Sequence, residues 1–164
     1  VLGITEPIAA GDAVMYSYIG LAVGDLASGF ISQYWQSRKK VVLLYITITF
    51  VFIVMYLLNP IDSAFLFYCI CFGLGVGVGY WALFVTIAAE QFGTNLRATV
   101  TTSVPNFIRG TVVPLVWIFG SLRENLGILW SAFWVGTGTI VIALVALYYL
   151  SESFSRDMDF LETD

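Results

Sequence analysis

The chain has 164 residues, 59% hydrophobic and only 11% charged, with a formal net charge of −4 and a positive mean hydropathy. A soluble domain carries about a quarter charged residues, so the composition excludes an ordinary water-facing surface and several apolar runs of about 18 residues or more point to a helical membrane protein. Much of the negative charge lies in the tail after Glu152, and Arg38-Lys39-Lys40 is the one basic cluster, which argues against nucleic acid as a partner. There is no histidine, so the commonest transition-metal ligand and proton relay is missing, and neither a metal nor a cofactor is expected. Cys69 and Cys71 point to different sides of one apolar helix and read as small packing residues.

Residues 1–11, with Pro7 and Gly11, read as a loop; they lack the basic start and apolar run of a secretory signal. A first residue of Val rather than Met is what a truncated chain would show. Apolar runs then predict five membrane-spanning helices in one domain covering 1–164, at about 12–36, 41–58, 63–92, 96–121 and 128–150. Asn59-Pro60-Ile61-Asp62 separates the second from the third, and Arg123-Glu124-Asn125-Leu126-Gly127 is expected to turn between the fourth and fifth. Residues 151–164 form a polar, acidic tail. Trp35, Trp130 and Tyr148-Tyr149 fall near helix ends, where interfacial anchors sit. Arg38, Lys39, Lys40, Arg97 and Arg156 fall on one side of these helices and Arg123 on the other. Cytoplasmic loops hold the excess of Lys and Arg, so the C-terminus is expected in the cytoplasm and the N-terminus outside.

Two charges lie deep inside helices. Asp25 precedes Arg38 by 13 residues and Arg109 follows Arg97 by 12, which is ~18–19 Å of helix from the same side. A charge at mid-membrane costs about 2.5–3.5 kcal/mol and faces a cavity or a partner. Asn106, one turn before Arg109, shares its face. Four readings stay open: a structural ion pair, a proton-binding Asp25, an Arg109 that grips an anionic solute, or pairing with another part of the protein. Tyr80 and Trp81 lie at similar depth, where they either stack on a solute or pack. The run Gly73–Gly79 follows no strand and precedes no Lys-Ser/Thr pair, so it is not a phosphate loop but a close-packing, flexing face.

Glu90-Gln91-Phe92-Gly93-Thr94-Asn95-Leu96-Arg97-Ala98-Thr99 closely resembles the E-x-(F/Y)-P-T-x-L-R-A-T signature of the major facilitator superfamily, with Gly93 in the place of proline. Residues Gly29 to Lys40 resemble a degenerate G-x-L-A-D-R-x-G-R-R loop motif. Gly29 and Arg38-Lys39 match it, Gln33 replaces the Asp and Gln36 the second Gly. The tail from Glu152 to Glu162 is similar to the E-T-x-G-R-D-L-D-x-x-E ending of these carriers. The resemblance covers nearly the whole chain. It implies helices eight to twelve of a twelve-helix carrier whose N-terminal half is missing here. It implies a secondary active transporter of the plasma (inner) membrane, moving a small solute, sugar-like or an organic anion, by alternating access with proton coupling. It further implies that Glu90, Arg97, Arg38 and Lys39, with Gln33 at the lost acidic position, belong to a cytoplasmic gate, although these charges also suit a purely topological role. The small and polar residues of the first, third and fourth helices agree with that register. Asp25, Arg109, Asn106, Tyr80 and Trp81 would then line the solute or proton pathway. The alternative is a five-helix structural or assembly protein without transport. Without histidine, a reactive serine motif or a carboxylate cluster, an enzyme is not expected.

Overall fold

The computed structural model describes residues 7–58 and 61–155, all of its regular elements helical: α1 (Ala10–Trp35), α2 (Arg38–Leu58), α3 (Ala64–Val78), α4 (Trp81–Gln91), α5 (Thr94–Gly110) and α6 (Val112–Tyr149). Residues 1–6 of the expected leading loop, the Asn59-Pro60 part of the expected break, and Arg156 with the rest of the tail lie outside the described residues.

Close backbone approach organises the first three helices. The buried residues of α1 are Gly20, Gly24, Ser28 and Ser32, a four-residue repeat of small side chains along one stripe. Against that stripe lies α3, so near that a Cβ on Gly24 would fall 2.6 Å from the Val76 carbonyl oxygen and one on Gly79 2.6 Å from the Gly24 Cα. The glycine run has two working faces. Gly75 and Gly79 meet α1, whereas Gly73 and Gly77 meet Phe52 and Thr49 of α2, each pair one turn apart. The corner between α1 and α2 is a single tight step in which Gln36 takes the left-handed conformation, φ 51°, ψ 36°. α2 then begins at Arg38, three residues ahead of the expected Val41, because other segments satisfy its first amides.

The expected third helix, 63–92, is interrupted. Ser63 caps its start through the Phe65 N–H, but at Gly79 (φ −76°, ψ 47°) the ladder fails and the Tyr80 N–H bonds the Val78 carbonyl at 2.9 Å. That is an inverse γ-turn, and α4 restarts at Trp81.

Among the described residues four stretches, rather than the five expected, are long and apolar enough to cross a membrane: Ala10–Trp35, Arg38–Leu58, Ala64–Gln91 and the 56-residue Thr94–Tyr149. The correction falls on the last two helices. Residues Arg123 to Leu126, read as a turn, stay helical, since Arg, Glu and Leu are good helix formers and no proline interrupts them. Only Gly127, at φ 76°, ψ 172°, leaves the helical region within α6. A small offset occurs earlier instead, at Thr111, where the ring of Pro114 crowds the carbonyl four residues before it and separates α5 from α6. Beyond Gly127 the chain lies beside its own earlier part: one cavity of about 210 Å³ is lined by Leu115, Ile118 and Leu122 and, facing them, by Ile142, Gly138 and Trp134.

The final part of α6 packs antiparallel on α2. Val41, Val42, Tyr45 and Ile46 of α2 form one buried cluster with Leu83 and Ile87 of α4 and Leu147 of α6. α5 contributes no buried residue at all. Large apolar side chains such as Phe30, Phe107 and Trp117 are three-quarters exposed, an apolar outer surface of the kind a lipid phase accommodates.

Candidate functional site

The two ends of α4 each carry a cluster of polar side chains. At its C-terminal end Glu90 meets Arg38, Nη2 to Oε1 at 2.8 Å and Nε to Oε2 at 3.3 Å, a two-point contact that suits the planar guanidinium. Both side chains are nearly buried, 12% and 10% exposed. Their remaining capacity is used. The Ser153 hydroxyl donates to Glu90 Oε2 at 2.6 Å, Arg38 Nη1 donates to Ser32 Oγ at 2.8 Å, and the Phe154 ring lies 5.1 Å from the Arg38 guanidinium carbon.

Around this pair two helix ends satisfy each other. The Glu152 carboxylate accepts from the Arg38 N–H at 2.8 Å, from the Lys39 N–H at 3.4 Å and from the Ser37 hydroxyl, capping the start of α2 where negative charge is favoured. Burial pushes the Glu152 carboxyl up, but the hydrogen bonds from Ser37, Arg38, Phe154 and Lys39 outweigh it and hold the group below the usual glutamate value. In return the Lys39 ammonium donates to the Leu150 carbonyl at 2.6 Å and the Tyr148 carbonyl at 3.2 Å, the end of α6. Gln91 adds a bond to the Ser151 carbonyl at 3.0 Å.

Arg97 lies at the same end, donating to the Ala89 and Phe92 carbonyls at 3.1 and 3.3 Å, so it covers the last turn of α4. Gln33 is exposed and has no part in the Arg38–Glu90 contacts.

At the other end of α4 the break exposes backbone donors, and Asp25 takes one: its Oδ1 accepts from the Ala82 N–H at 3.1 Å. The neighbouring Trp81 ring lies 5.7 Å from the Arg109 guanidinium carbon, a cation–π distance, while Arg109 Nη1 bonds Asn106 Oδ1 at 3.4 Å. Tyr80 packs edge-on against Tyr45 at 6.0 Å, and the Tyr45 hydroxyl donates to the Gly24 carbonyl at 2.8 Å, beside Asp25. Asp25, Tyr80, Trp81, Asn106 and Arg109 therefore converge on one helix start. Asp25 and Arg109 reach adjacent residues without forming an ion pair; among the described residues that arrangement is Arg38–Glu90. The Asp25 carboxylate is instead occupied by the amide that the break released.

Sequence reasoning missed Ser32, Ser37, Glu152, Ser153 and Phe154 as members of the first cluster. The one local signal was an acidic residue directly after a helix, a position that disfavours its own helix and so marks a carboxylate held by something else. Chemically, the first cluster can hold three segments together and release them if one charge is lost. The second presents a carboxylate, a guanidinium and an indole face around a helix N-terminus. Comparison with protein-family models, with curated proteins and with solved structures finds no match to this chain.

Proposed function

We propose that the chain is the C-terminal part of a major facilitator secondary transporter, which with an N-terminal half moves a small solute by alternating access. One observation carries the reading. The three stretches that resemble family motifs, Gly29–Lys40, Glu90–Thr99 and the segment from Glu152, are far apart in the chain and interlock at one end of the bundle through Arg38, Glu90 and Ser153. The 56-residue run Thr94–Tyr149 would be ~84 Å as one helix, against about 30 Å of hydrocarbon. It reads better as two crossings turning at Gly127, which the cavity shared by Leu115 and Ile142 supports. That gives five crossings, with the Arg38–Glu90 end and the C-terminus cytoplasmic and the N-terminus outside, in the plasma (inner) membrane. Asp25 is the proton-binding group, and Arg109 with Trp81 forms the solute wall, suited to an anionic group or a sugar ring.

The test is pH-gradient-driven uptake of labelled sugars and organic anions into vesicles carrying the complete coding region. Asp25→Asn keeps an oxygen for the Ala82 N–H and removes the titratable charge. Accumulation should be lost while solute counterflow persists. Accumulation that survives the change removes Asp25 from the proton pathway, and a folded, inserted protein that takes up nothing across the panel sinks the transporter reading. One observation favours the structural alternative: among the described residues, no buried side-chain nitrogen or oxygen lacks a partner, so these helices need no further polar surface. On that reading Asp25→Asn changes stability alone.

A further inference from the structure

Next to the first cluster, α2 and the end of α6 enclose a groove of about 260 Å³. Its rim carries Lys39 and Lys40, and its walls are Leu43, Leu144, Leu147 and Tyr148. We propose that this groove binds an anionic phospholipid, with the phosphate on Lys39 and Lys40 and an acyl chain laid along Leu43 and Leu144. The inference rests on the reading that α2 and the end of α6 cross a membrane with Arg38–Lys40 at its cytoplasmic face.

Three features favour an anionic diacyl lipid over other occupants. The rim is net positive. Among the described residues neither lysine side chain forms a salt bridge, because Glu90 is paired with Arg38, and the three cations Arg38, Lys39 and Lys40 outnumber the two carboxylates Glu90 and Glu152 at this end. Lys39 spends two of its three donors on the Tyr148 and Leu150 carbonyls, which fixes its ammonium above the groove with one donor left. The Lys40 side chain is exposed and bonds nothing among the described residues, so all its donors are available. Below the rim the groove turns apolar at once. Leu43 and Tyr148 are 47% and 79% exposed while Leu147 is buried, giving an open apolar wall with a closed floor. A soluble phosphate or an acidic peptide would use the rim and leave that wall wet, whereas a lipid uses both. A basic pocket between helices on the cytoplasmic side is where anionic headgroups bind.

The experiment reconstitutes the full chain in phosphatidylcholine vesicles that contain a minority of phosphatidylglycerol with a photoreactive group on one acyl chain. The control carries the same group on phosphatidylcholine. After illumination, labelled peptides are mapped by mass spectrometry, and carbonate extraction is run on the same samples. The expected result is carbonate-resistant protein whose 39–43 and 144–148 peptides take up phosphatidylglycerol in preference to phosphatidylcholine. Lys40→Gln should lower that labelling about fivefold, the factor corresponding to ~1 kcal/mol per lysine at a membrane surface, and Lys40→Arg should retain it. Lys40 lies outside the Arg38–Glu90 contacts, and its variants should keep the wild-type helical circular dichroism. Equal labelling by the two lipids, or labelling that ignores Lys40→Gln, in carbonate-resistant protein overturns the lipid site and leaves the membrane reading standing. Protein that carbonate releases overturns both.

Discussion

Replacing Glu90 by glutamine tests the interlock most directly, because it removes a charge and little volume. Arg38 would keep the Ser32 oxygen and the Phe154 ring but lose its carboxylate. Stripping one partner from a buried ion pair costs about 3–5 kcal/mol, chiefly because the other charge stays buried and uncompensated. Here the two side chains retain 12% and 10% exposure, and the new amide can still accept one guanidinium bond, so about 2–3 kcal/mol is expected. The single variants Arg38→Met and Glu90→Met should each cost a similar amount. The double variant Arg38→Met/Glu90→Met should recover most of the loss, since a matched apolar pair is often no worse than a buried ionic one. Stability would be read from unfolding of the micelle-bound protein in sodium dodecyl sulfate, followed by circular dichroism, across all four members of the cycle. Single variants within about 0.5 kcal/mol of wild type would mean that the pair behaves as a surface contact. A double variant that costs the sum of the singles would mean that Arg38 and Glu90 do not interact energetically.

Two further outcomes follow from the geometry. Gly24→Ala would push a Cβ to 2.6 Å from the Val76 carbonyl oxygen, with the Gly79 Cα at 2.9 Å, whereas a Cβ on Gly29 meets nothing within 4 Å. Gly24→Ala should therefore cost about 1–3 kcal/mol by overpacking, whereas Gly29→Ala, in open space inside α1, should cost nothing and gain up to about 1 kcal/mol of helix propensity in the same unfolding assay; equal effects would refute the α1–α3 contact. Glu152, whose carboxyl is held below its ordinary value, stabilises the fold above the unfolded-state glutamate value, and that contribution disappears as pH falls through the lowered folded-state value. Wild type should exceed Glu152→Gln in stability at neutral pH, and the two should converge in that acidic window. A gap that persists or widens on acidification would show that the carboxylate is not what caps α2.

Much of the helical layout was legible because apolar runs and paired polar corners are local signals. What the chain hid were the points where one helix decides the fate of another. The Gly73–Gly79 run permits a break without dictating it. The break at Gly79–Tyr80 is completed by Asp25, which accepts the Ala82 N–H from 57 residues away, and no periodicity displays that. At Arg123–Gly127 the polar residues and a glycine signal a turn that the structure narrows to Gly127 alone, because Arg123 to Leu126 stay helical. The motif resemblance grouped Arg38 and Lys39 with Glu90 and Arg97, but the residue types alone do not say that Arg38 and Glu90 are the two that pair. Ser153 and Phe154 looked like ordinary tail residues, since their targets lie on α4 and at the start of α2. Gln36 carries the subtlest signal: it replaces a glycine of the motif at a position that is left-handed in this structure, the conformation glycine adopts most cheaply.

The two clusters share α4, and their strengths can be compared. Asp25 holds its start through Ala82 and Arg38 holds its end through Glu90, so two residues flanking the end of α1 grip both ends of one helix ~12 Å apart. On the carrier reading, a proton on Asp25 removes a charge from a helix N-terminus, worth about 0.3–1 kcal/mol and at most ~2 in a partly buried site. The Arg38–Glu90 contact resists opening by about 2–3 kcal/mol by the estimate above. Protonation alone is therefore too weak to free α4 at its far end. A solute on Trp81 and Arg109 touches the same first turn and can add the remainder, because a ligand shifts an equilibrium only by its differential affinity for the two states. On the carrier reading, proton and solute would thus act together at the start of α4 on the one lock at its end.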